Sequence, residues 1–148
     1  MAAETGSAAL VDAWPLGASC AAAEGRTRFL VWAPRASRVA VQLVAQPTRV
    51  VELVPQVRWY FAGEVCDCRP GERYWLLVDG QTRPDPASRS QPEGVFGPSE
   101  IVDLRFEWDD LAYRGRPLDE YVIYELHVGA YTRGGTLDHL VPHLDRLV

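Results

Sequence analysis

Two short extended runs with a turn between them make up residues 29–44, FLVWAPRASRVAVQLV. The turn lies at Ala33-Pro34, where proline cannot donate a backbone hydrogen bond to a strand ladder. In the second run Val39, Val41 and Leu43 alternate with polar or small residues, so they share one face of a strand. The pattern predicts two antiparallel strands, each buried on one side.

The same pattern continues along the chain in the runs 50–54, 57–65 and 74–78. The turn residues that follow these runs are, in order, Pro55, Pro70-Gly71 and Asp79-Gly80. In the run 57–65, alternation puts Trp59 and Phe61 on the face that we expect to be buried. Turn signals spaced about 8–12 residues apart are typical of a β-sandwich. We therefore predict an immunoglobulin-like antiparallel β-sandwich over residues 1–104, with a mobile start at 1–13.

A proline-rich segment at 83–100 follows the predicted strands. It contains four prolines and two glycines, a density that neither a helix nor a central strand tolerates. Charged residues alternate there with single apolar ones, which favours a loop held against other parts of the protein. A plain solvated linker is the alternative. We interpret the segment as a connection between two domains.

The last part of the chain, residues 105–148, has a different pattern. Residues 121–128 (YVIYELHV) are almost continuously apolar, as in a strand buried on both faces. After Gly134-Gly135, apolar residues recur at helical spacing over 136–148, with Thr136 as the N-cap and Pro142 as a kink. This order predicts the first strand and helix of a (β/α)₈ barrel. Because such a barrel needs about 250 residues, we expect the rest of it to lie beyond residue 148.

Charge and hydropathy exclude several classes of partner. The 148 residues carry 15 basic and 20 acidic side chains, a net charge of −5. Proteins that neutralise phosphates have the opposite balance, so nucleic acid is not an expected partner. No apolar run is long enough to span a bilayer, and no basic leader precedes the alanine-rich start. We predict a cytoplasmic protein without a membrane association.

The cysteines argue against a disulfide framework or a metal site. Cys20, Cys66 and Cys68 form an odd set, which does not suit paired disulfides. Cys66 and Cys68 have the same strand parity, but no histidine and no second cysteine pair lies near them in the sequence. We therefore predict small buried or half-exposed thiols, no metal and no cofactor.

Four motifs taken together resemble one enzyme family. They are RFLVWAPRASRVAVQL, PGERYWLLVDG, RPDPASRSQPEGVFGPSEIVD and RGRPLDEYVIYELHVGAYTRGGTLDHLV. From about residue 14 onward the chain is similar to the N-terminal part of the malto-oligosyltrehalose trehalohydrolases, a group within the α-amylase superfamily (glycoside hydrolase family 13). The loop DPASRSQPEGV-GPS is the most specific motif. VWAP and YELHVG are shared with glycogen branching enzymes, which are the alternative relatives.

The resemblance implies an N-terminal sandwich of the E-set or carbohydrate-binding type, followed by a catalytic barrel that this chain only begins. The whole enzyme would hydrolyse the α-1,4 bond next to the trehalose end of maltooligosyl trehalose and release trehalose. Its partners would be this α-glucan and the rest of the barrel. A non-catalytic domain that binds α-glucan or braces the barrel is the alternative function.

Four residues depart from the family pattern. Phe96 stands where a histidine is expected, Ala130-Tyr131 replaces Thr-Phe, and Leu137 replaces a phenylalanine. Tyr131 and Leu137 keep an apolar character. Phe96 removes a polar group from a loop that, in the family, lies near the join between domains, so a sugar contact is not expected there.

The resemblance assigns no catalytic residue to this chain. Glycoside hydrolysis needs two carboxyl groups that flank the scissile bond, and in a barrel they come from several strands. The family's catalytic carboxylates belong to strands beyond residue 148, so the chain alone is expected to be inactive. The adjacent acidic residues at 109–110 and 119–120 are interpreted as solvated loop charges.

Three residues are candidates for positions next to the substrate: Glu125, His127 and Tyr131. Alternation places Glu125 and His127 on one face of the predicted strand, and that face would point into the barrel. His127 would lie nearest the mouth, where it would position sugar or hydrogen-bond a carboxylate. A structural hydrogen-bonded pair beneath the barrel is the alternative.

Three aromatic residues fall on the outer parity of the predicted sandwich strands: Trp32, Tyr60 and Trp75. Large rings on an outer face form a patch that needs a cover. Sugar rings of a glucan can stack on such side chains, and packing against the barrel would cover them equally well. We expect burial in the barrel interface more than glucan binding.

Overall fold

The computed structural model describes residues 8–21 and 25–147, and the chain divides into two compact units, 1–106 and 107–148. The described part of the first unit begins with helix α1 (Ala8–Ala13) and contains nine strands. In chain order these are β1 (Gly17–Ala21), β2 (Arg26–Trp32), β3 (Val39–Leu43), β4 (Gln46–Glu52), β5 (Val54–Pro55), β6 (Tyr60–Cys66), β7 (Arg73–Val78), β8 (Gln81–Arg83) and β9 (Ser99–Glu100).

The strands form two antiparallel sheets. One sheet has the order β1-β2-β6-β5, and the other has the order β4-β3-β7-β8, with β9 also paired to β7. The pairing of β2 with β6 and of β3 with β7 brings together runs that are far apart in sequence. The antiparallel β class that alternation predicts is therefore confirmed for this unit.

The core lies between the two sheets. Phe29 from β2 and Tyr74 from β7 are fully buried, and their rings meet edge to face with centroids 5.0 Å apart. Around this pair lie the inward side chains that the alternation predicts, namely Val31, Val39, Val41, Leu43, Phe61 and Leu76. Burial of these apolar side chains is the main driving force for pairing the sheets.

The outer face of the β1–β2–β6 sheet carries a second, smaller apolar cluster. Val11 of α1 packs there with Leu30 of β2 and Ala62 of β6. Residues 8–13, which the sequence analysis assigns to a mobile start, thus form a helix seated on this sheet; residues 1–7 lie outside the described residues. Strand alternation alone cannot predict that a helix packs on this face, because it indicates only that Leu30 points away from the central core.

The turn before β6 contradicts one prediction. Residues Val57–Trp59 form a 3₁₀ turn rather than the start of a strand, and Trp59 is 66% exposed. The expectation that Trp59 lies in the core is therefore wrong, whereas Phe61 is buried as predicted. Both Arg58 and Trp59 have positive φ angles, 56° and 64°, so the backbone leaves the extended path and the period-2 alternation no longer applies.

The proline-rich segment 83–100 is held against the sandwich, as the sequence predicts. The buried Asp85 carboxylate accepts a hydrogen bond from the Tyr74 hydroxyl at 2.7 Å and one from the Ala87 N–H at 2.8 Å. The Asp85 N–H donates to the Ser99 hydroxyl at 2.9 Å. Arg89 donates to the Ala18 carbonyl of β1. These bonds connect the segment to both sheets.

The second unit is described by itself. It contains two short helices, α2 (Val128–Tyr131) and α3 (Leu137–Leu140), and the 3₁₀ turns Leu118–Glu120 and Val141–Arg146. Thr136 caps α3, because its side chain accepts from the His139 N–H. The predicted long helix changes to 3₁₀ geometry at Val141, beside Pro142, which has no N–H for an α-helical bond.

Residues 121–127, predicted as a buried strand, form no strand in this unit. Val122 is 96% exposed and Ile123 is 84% exposed. A strand exists only when a neighbouring strand satisfies its backbone groups, and the described residues of this unit provide no such neighbour. The sequence pattern indicates a strand buried on both faces, but no described residues of this unit cover Val122 and Ile123.

The Tyr74–Asp85 hydrogen bond gives the first testable prediction. Tyr74→Phe removes the donor and leaves the buried carboxylate short of a partner, so the free energy of unfolding should fall by about 1–3 kcal/mol. Urea denaturation of the full chain measures this change. Tyr113→Phe is the matched control, because the Tyr113 side chain is exposed; equal losses in the two variants would contradict the importance of this bond.

Two glycines with similar backbone angles test the approach of β1 to residue 87. Gly17 has φ +84° and Gly71 has φ +87°, but a Cβ at Gly17 would lie 2.9 Å from the Ala87 carbonyl oxygen, whereas Gly71 faces open space. Gly71→Ala should cost about 1 kcal/mol for its backbone angle. Gly17→Ala should cost about 1–3 kcal/mol more, because the chain must shift. Thermal or urea unfolding compares them, and equal costs would show that the close approach is unimportant.

Candidate functional site

One end of the sandwich carries a cleft between two turns. The turn after β2 (residues 33–36) and the β7–β8 hairpin enclose about 410 Å³. Arg35, Asp79, Gln81 and Arg83 supply its polar groups. Asp79 has a structural task as well, because its Oδ1 accepts from the Ser37 and Arg38 N–H groups, both at 2.9 Å. The Asp79 side chain thus holds the turn after β2 against the β7–β8 hairpin, and both form the walls of the cleft.

A second, more apolar cleft of about 180 Å³ lies beside the first. Trp32 lines it, whereas the next residue, Ala33, lines the first cleft. Likewise Arg83 lines the first cleft, and Asp85, two residues later, lines the second. The remaining lining of the second cleft comes from Leu16, Leu30, Val31, Pro86 and Ala87. The two clefts therefore flank the short backbone stretch at Trp32.

The three aromatic residues predicted on an outer face do not share one surface. Trp32 and Tyr60 are register partners in the β2–β6 ladder. Trp75 pairs with Gln42 in the other sheet. Because Tyr74 and Leu76 point into the core, Trp75 points outward from the opposite side of the sandwich. A ligand on Trp32 cannot also reach Trp75.

Helix α1 covers part of the outer face next to Trp32. Tyr60, half-buried, packs against the cluster that contains Val11, while Trp32 stays 54% exposed. An ion pair between Asp12 of α1 and Arg58 closes this edge and raises the pKa of the Arg58 guanidinium through a hydrogen bond. The Tyr60 side chain is therefore partly covered by packing and supports this face of the sheet.

Farther along the same outer face, charged residues replace the aromatic ones. The Glu64 carboxylate accepts from Arg28 at 3.0 Å and from Arg26 at 2.8 Å. The hydrogen bond from Arg28 is the main cause that lowers the pKa of Glu64. The Arg28 guanidinium also lies 5.5 Å from the centre of the Trp14 ring, in a cation–π arrangement. The charged side chains on this half of the face are therefore paired with one another.

The candidates Glu125, His127 and Tyr131 lie in the second unit. Glu125 and His127 are both exposed, and the His127 ring lies beside Gly129, since a Cβ there would be 3.2 Å from its Cε1. The Tyr131 ring meets Tyr124 and His143 edge to face, with centroids 6.4 and 5.8 Å apart. In the described residues no hydrogen bond joins the Glu125 and His127 side chains.

Large apolar side chains are widely exposed in the second unit. They are Trp108, Leu111, Tyr113, Leu118, Tyr121, Val122, Ile123, Tyr124, Leu137, Val141, Leu144 and Leu147. A folded protein rarely leaves so many large apolar groups in water. The surface of this unit is chemically suited to further burial.

The cysteines are single thiols with different surroundings. Cys66 is exposed, Cys20 is half-buried, and Cys68 is buried in the core. Burial, reinforced by the Glu72 carboxylate, raises the pKa of Cys68 to about 12, so this thiol stays protonated. Among the described residues no group of three or more His, Cys, Asp or Glu side chains is arranged to hold a metal ion.

In residues 8–21 and 25–147, no helix combines the length and the apolar character that crossing a bilayer requires.

Sequence reasoning misses two residues at the cleft end of the sandwich, Trp59 and Arg35. An alternation that begins at Val57 assigns Trp59 to the core. Pro55 is the available signal against it, because this proline ends β5 and marks a turn that extends to Trp59. Arg35 carries no signal, since only the folded β2–β3 turn places it in the same cleft as Arg83.

Known proteins resemble this chain over most of its length, although no protein-family model matches it. It is 38% identical over 125 residues to malto-oligosyltrehalose trehalohydrolase of Saccharolobus solfataricus, an alignment that covers 84% of this chain and 22% of that protein. It is 41% identical over 125 residues to the enzyme of the same name from Arthrobacter ramosus, over 82% of this chain and 22% of that protein.

A solved structure agrees with these sequence relatives. A Salmonella typhimurium protein provisionally assigned as an alpha amylase superposes with a TM-score of 0.76 and 32% identity over 89% of this chain, which is 22% of that protein. The chain thus spans about a fifth of the length of the relatives it matches. Over most of its length, this chain is a homologue of the malto-oligosyltrehalose trehalohydrolases, as its motifs predict.

Proposed function

We propose that this chain supplies the N-terminal sandwich and the first part of the catalytic barrel of a trehalose-releasing glycosidase. The enzyme would hydrolyse the α-1,4 bond next to the trehalose end of maltooligosyl trehalose, in the cytoplasm. The observation that carries the proposal is the identity of 38% and 41% to two malto-oligosyltrehalose trehalohydrolases over more than four fifths of this chain. The names of these relatives supply the substrate class.

The fold supports a division of labour between the two units. The first unit has two antiparallel sheets around one core, and we assign it to the immunoglobulin-like E-set type on the basis of its order of strands. The second unit presents the apolar run 121–124 in an exposed state. In a complete parallel barrel such a run lies between two neighbouring strands and beneath the helices.

The chemistry of cleavage belongs to other parts of such an enzyme. A retaining glycosidase holds two carboxyl groups about 5–5.5 Å apart across the bond, one as nucleophile and one as acid and base. The acidic residues at 109–110 and 119–120 and Glu125 are exposed and separated along the chain. We therefore assign no catalytic carboxylate to this chain and expect no hydrolysis by it alone.

We assign positioning roles to the candidates in the second unit. If residues 121–128 become the first barrel strand, Glu125 and His127 point to the interior and His127 lies at the carboxyl end, where substrates bind in such barrels. Tyr131, the last residue of α2, contacts Tyr124 and His143 edge to face. These contacts would orient the segment that follows the strand, at the mouth of the barrel.

A domain graft tests the proposal. The region of the Arthrobacter ramosus relative that matches this chain is replaced by this chain, and trehalose release from maltooligosyl trehalose is measured. We expect the graft to retain activity within about tenfold of the parent, because 41% identity preserves the core and the buried contacts. The isolated chain, assayed in parallel, should release no trehalose.

Two controls make the graft informative. The same graft carrying Phe29→Asp places a charge in the fully buried core and should lose activity through unfolding. A parallel graft into a glycogen branching enzyme tests the alternative relatives. A folded graft that is inactive in the trehalohydrolase but active in the branching enzyme would overturn the proposal.

A further inference from the structure

Two polar side chains occupy core-facing positions on the short strand β8. Arg83 is the register partner of Leu76, and Gln81 is the register partner of Val78. Directly paired residues of an antiparallel ladder point to the same face of the sheet. Leu76 is buried and Val78 packs against the core, so Gln81 and Arg83 lie on the inner face. Alternation would place apolar side chains there, and departures from such local rules are concentrated at functional sites.

These two side chains line the cleft of about 410 Å³ at the end of the sandwich. The turn after β2, which belongs to the other sheet, forms the opposite wall. The volume falls in the size range of small-molecule sites. The apolar part of the lining consists of Ala33, Pro34, Ala36 and Val78. The cleft therefore has room for a small molecule and offers it short apolar side chains.

The polar part of the lining is positively charged. The guanidinium groups of Arg35 and Arg83 stand against the single carboxylate of Asp79, although the whole chain has a net charge of −5. The Asp79 Oδ1 is already engaged, because it accepts from the Ser37 and Arg38 N–H groups. One guanidinium charge is thus left without compensation in the lining, which favours an anionic ligand.

Neither arginine of the cleft has an anionic partner within residues 8–21 and 25–147. Arg35 makes no hydrogen bond or ion pair there, and Arg83 donates to the neutral amide oxygen of Gln81. By contrast Arg38, in the same turn as Arg35, is paired with Glu52. An arginine without a carboxylate partner keeps its donors available, and the planar fork of its N–H groups matches the oxygens of a phosphate group in pairs.

We propose that this cleft binds a small metabolite through a phosphate monoester group. Arg35 and Arg83 would donate hydrogen bonds to the phosphate oxygens from the two walls, and the Gln81 amide N–H would donate to a further oxygen. A phosphate monoester concentrates about two negative charges on three oxygens at neutral pH, whereas a carboxylate carries one. The short apolar side chains would contact the organic part. The inference rests on the cleft and its charges, and it does not depend on the proposed function.

Calorimetric titration of the full chain with glycerol 3-phosphate tests this inference. We expect saturable binding that is about tenfold weaker in Arg35→Gln and in Arg83→Gln, because each variant loses charge-assisted hydrogen bonds to the phosphate. Inorganic phosphate should compete for the site, and glycerol should not bind. Both arginines are exposed, so neither substitution disturbs the core, and far-ultraviolet circular dichroism verifies that each variant is folded.

Arg69→Gln is the matched control for the loss of one positive charge. Arg69 is also exposed, and its side chain forms no hydrogen bond or ion pair with the described residues. It precedes β7, whereas the cleft lies at the other end of that strand. This variant should bind glycerol 3-phosphate like the wild type.

Asp79→Asn tests the sign of the electrostatic effect. The substitution keeps an oxygen that can accept from the Ser37 and Arg38 N–H groups and removes the negative charge from the lining. Binding of glycerol 3-phosphate should therefore become about threefold tighter. Weaker binding by the folded variant would contradict the proposal.

Three further results would overturn the inference. They are no binding to the folded wild-type chain, wild-type binding in both Arg35→Gln and Arg83→Gln, and equal losses in Arg35→Gln and Arg69→Gln. Succinate, a dianion without a phosphate group, should bind at least about tenfold more weakly, and equal binding would refute the assignment of a phosphate. Because trehalose release by the domain graft does not measure this binding, either proposal can fail without the other.

Discussion

The hydrogen bond between the Tyr74 hydroxyl and Asp85 joins the core of the sandwich to the loop that closes it. Tyr74 contributes an apolar ring to the space between the sheets, where it meets Phe29, and a polar tip that needs a partner once it is buried. Burial and the Asp85 carboxylate raise the pKa of the Tyr74 hydroxyl, so it remains a donor. One side chain thereby determines both the packing of the sheets and the path of residues 85–99.

That path determines the surface at the cleft end. Because Asp85 is anchored, Pro86 and Ala87 lie beside Trp32 and complete the apolar cleft. The Ala87 carbonyl in turn leaves room only for glycine at position 17. The apolar cleft beside Trp32 is therefore a consequence of core packing, because the anchored loop supplies part of its lining.

The apolar sequence pattern agrees with the observed burial in the first unit but not in the second. In the first unit, alternating apolar residues find their partners within the chain, and the result is a closed core. In the second, the run 121–128 has the composition of a doubly buried strand, yet Val122 and Ile123 are exposed. The proposed barrel explains this contrast, and it also fits relatives of which the match covers only 22%.

The strands β2, β3, β6 and β7 of the first unit and the helix cap at Thr136 could be predicted from the sequence, because they depend on neighbours along the chain. The grouping of outward residues into surfaces could not. Contacts between residues far apart in sequence decide three features: which sheet carries Trp75, how exposed Trp59 is, and that Arg35 lines the cleft. Alternation assigns a residue only to one face or the other, and it fails where a positive φ turns the backbone, as at Arg58. Local pattern therefore determined the central strands of the first unit, whereas contacts between distant residues decided which outward residues share a surface and whether the run 121–128 could form a strand.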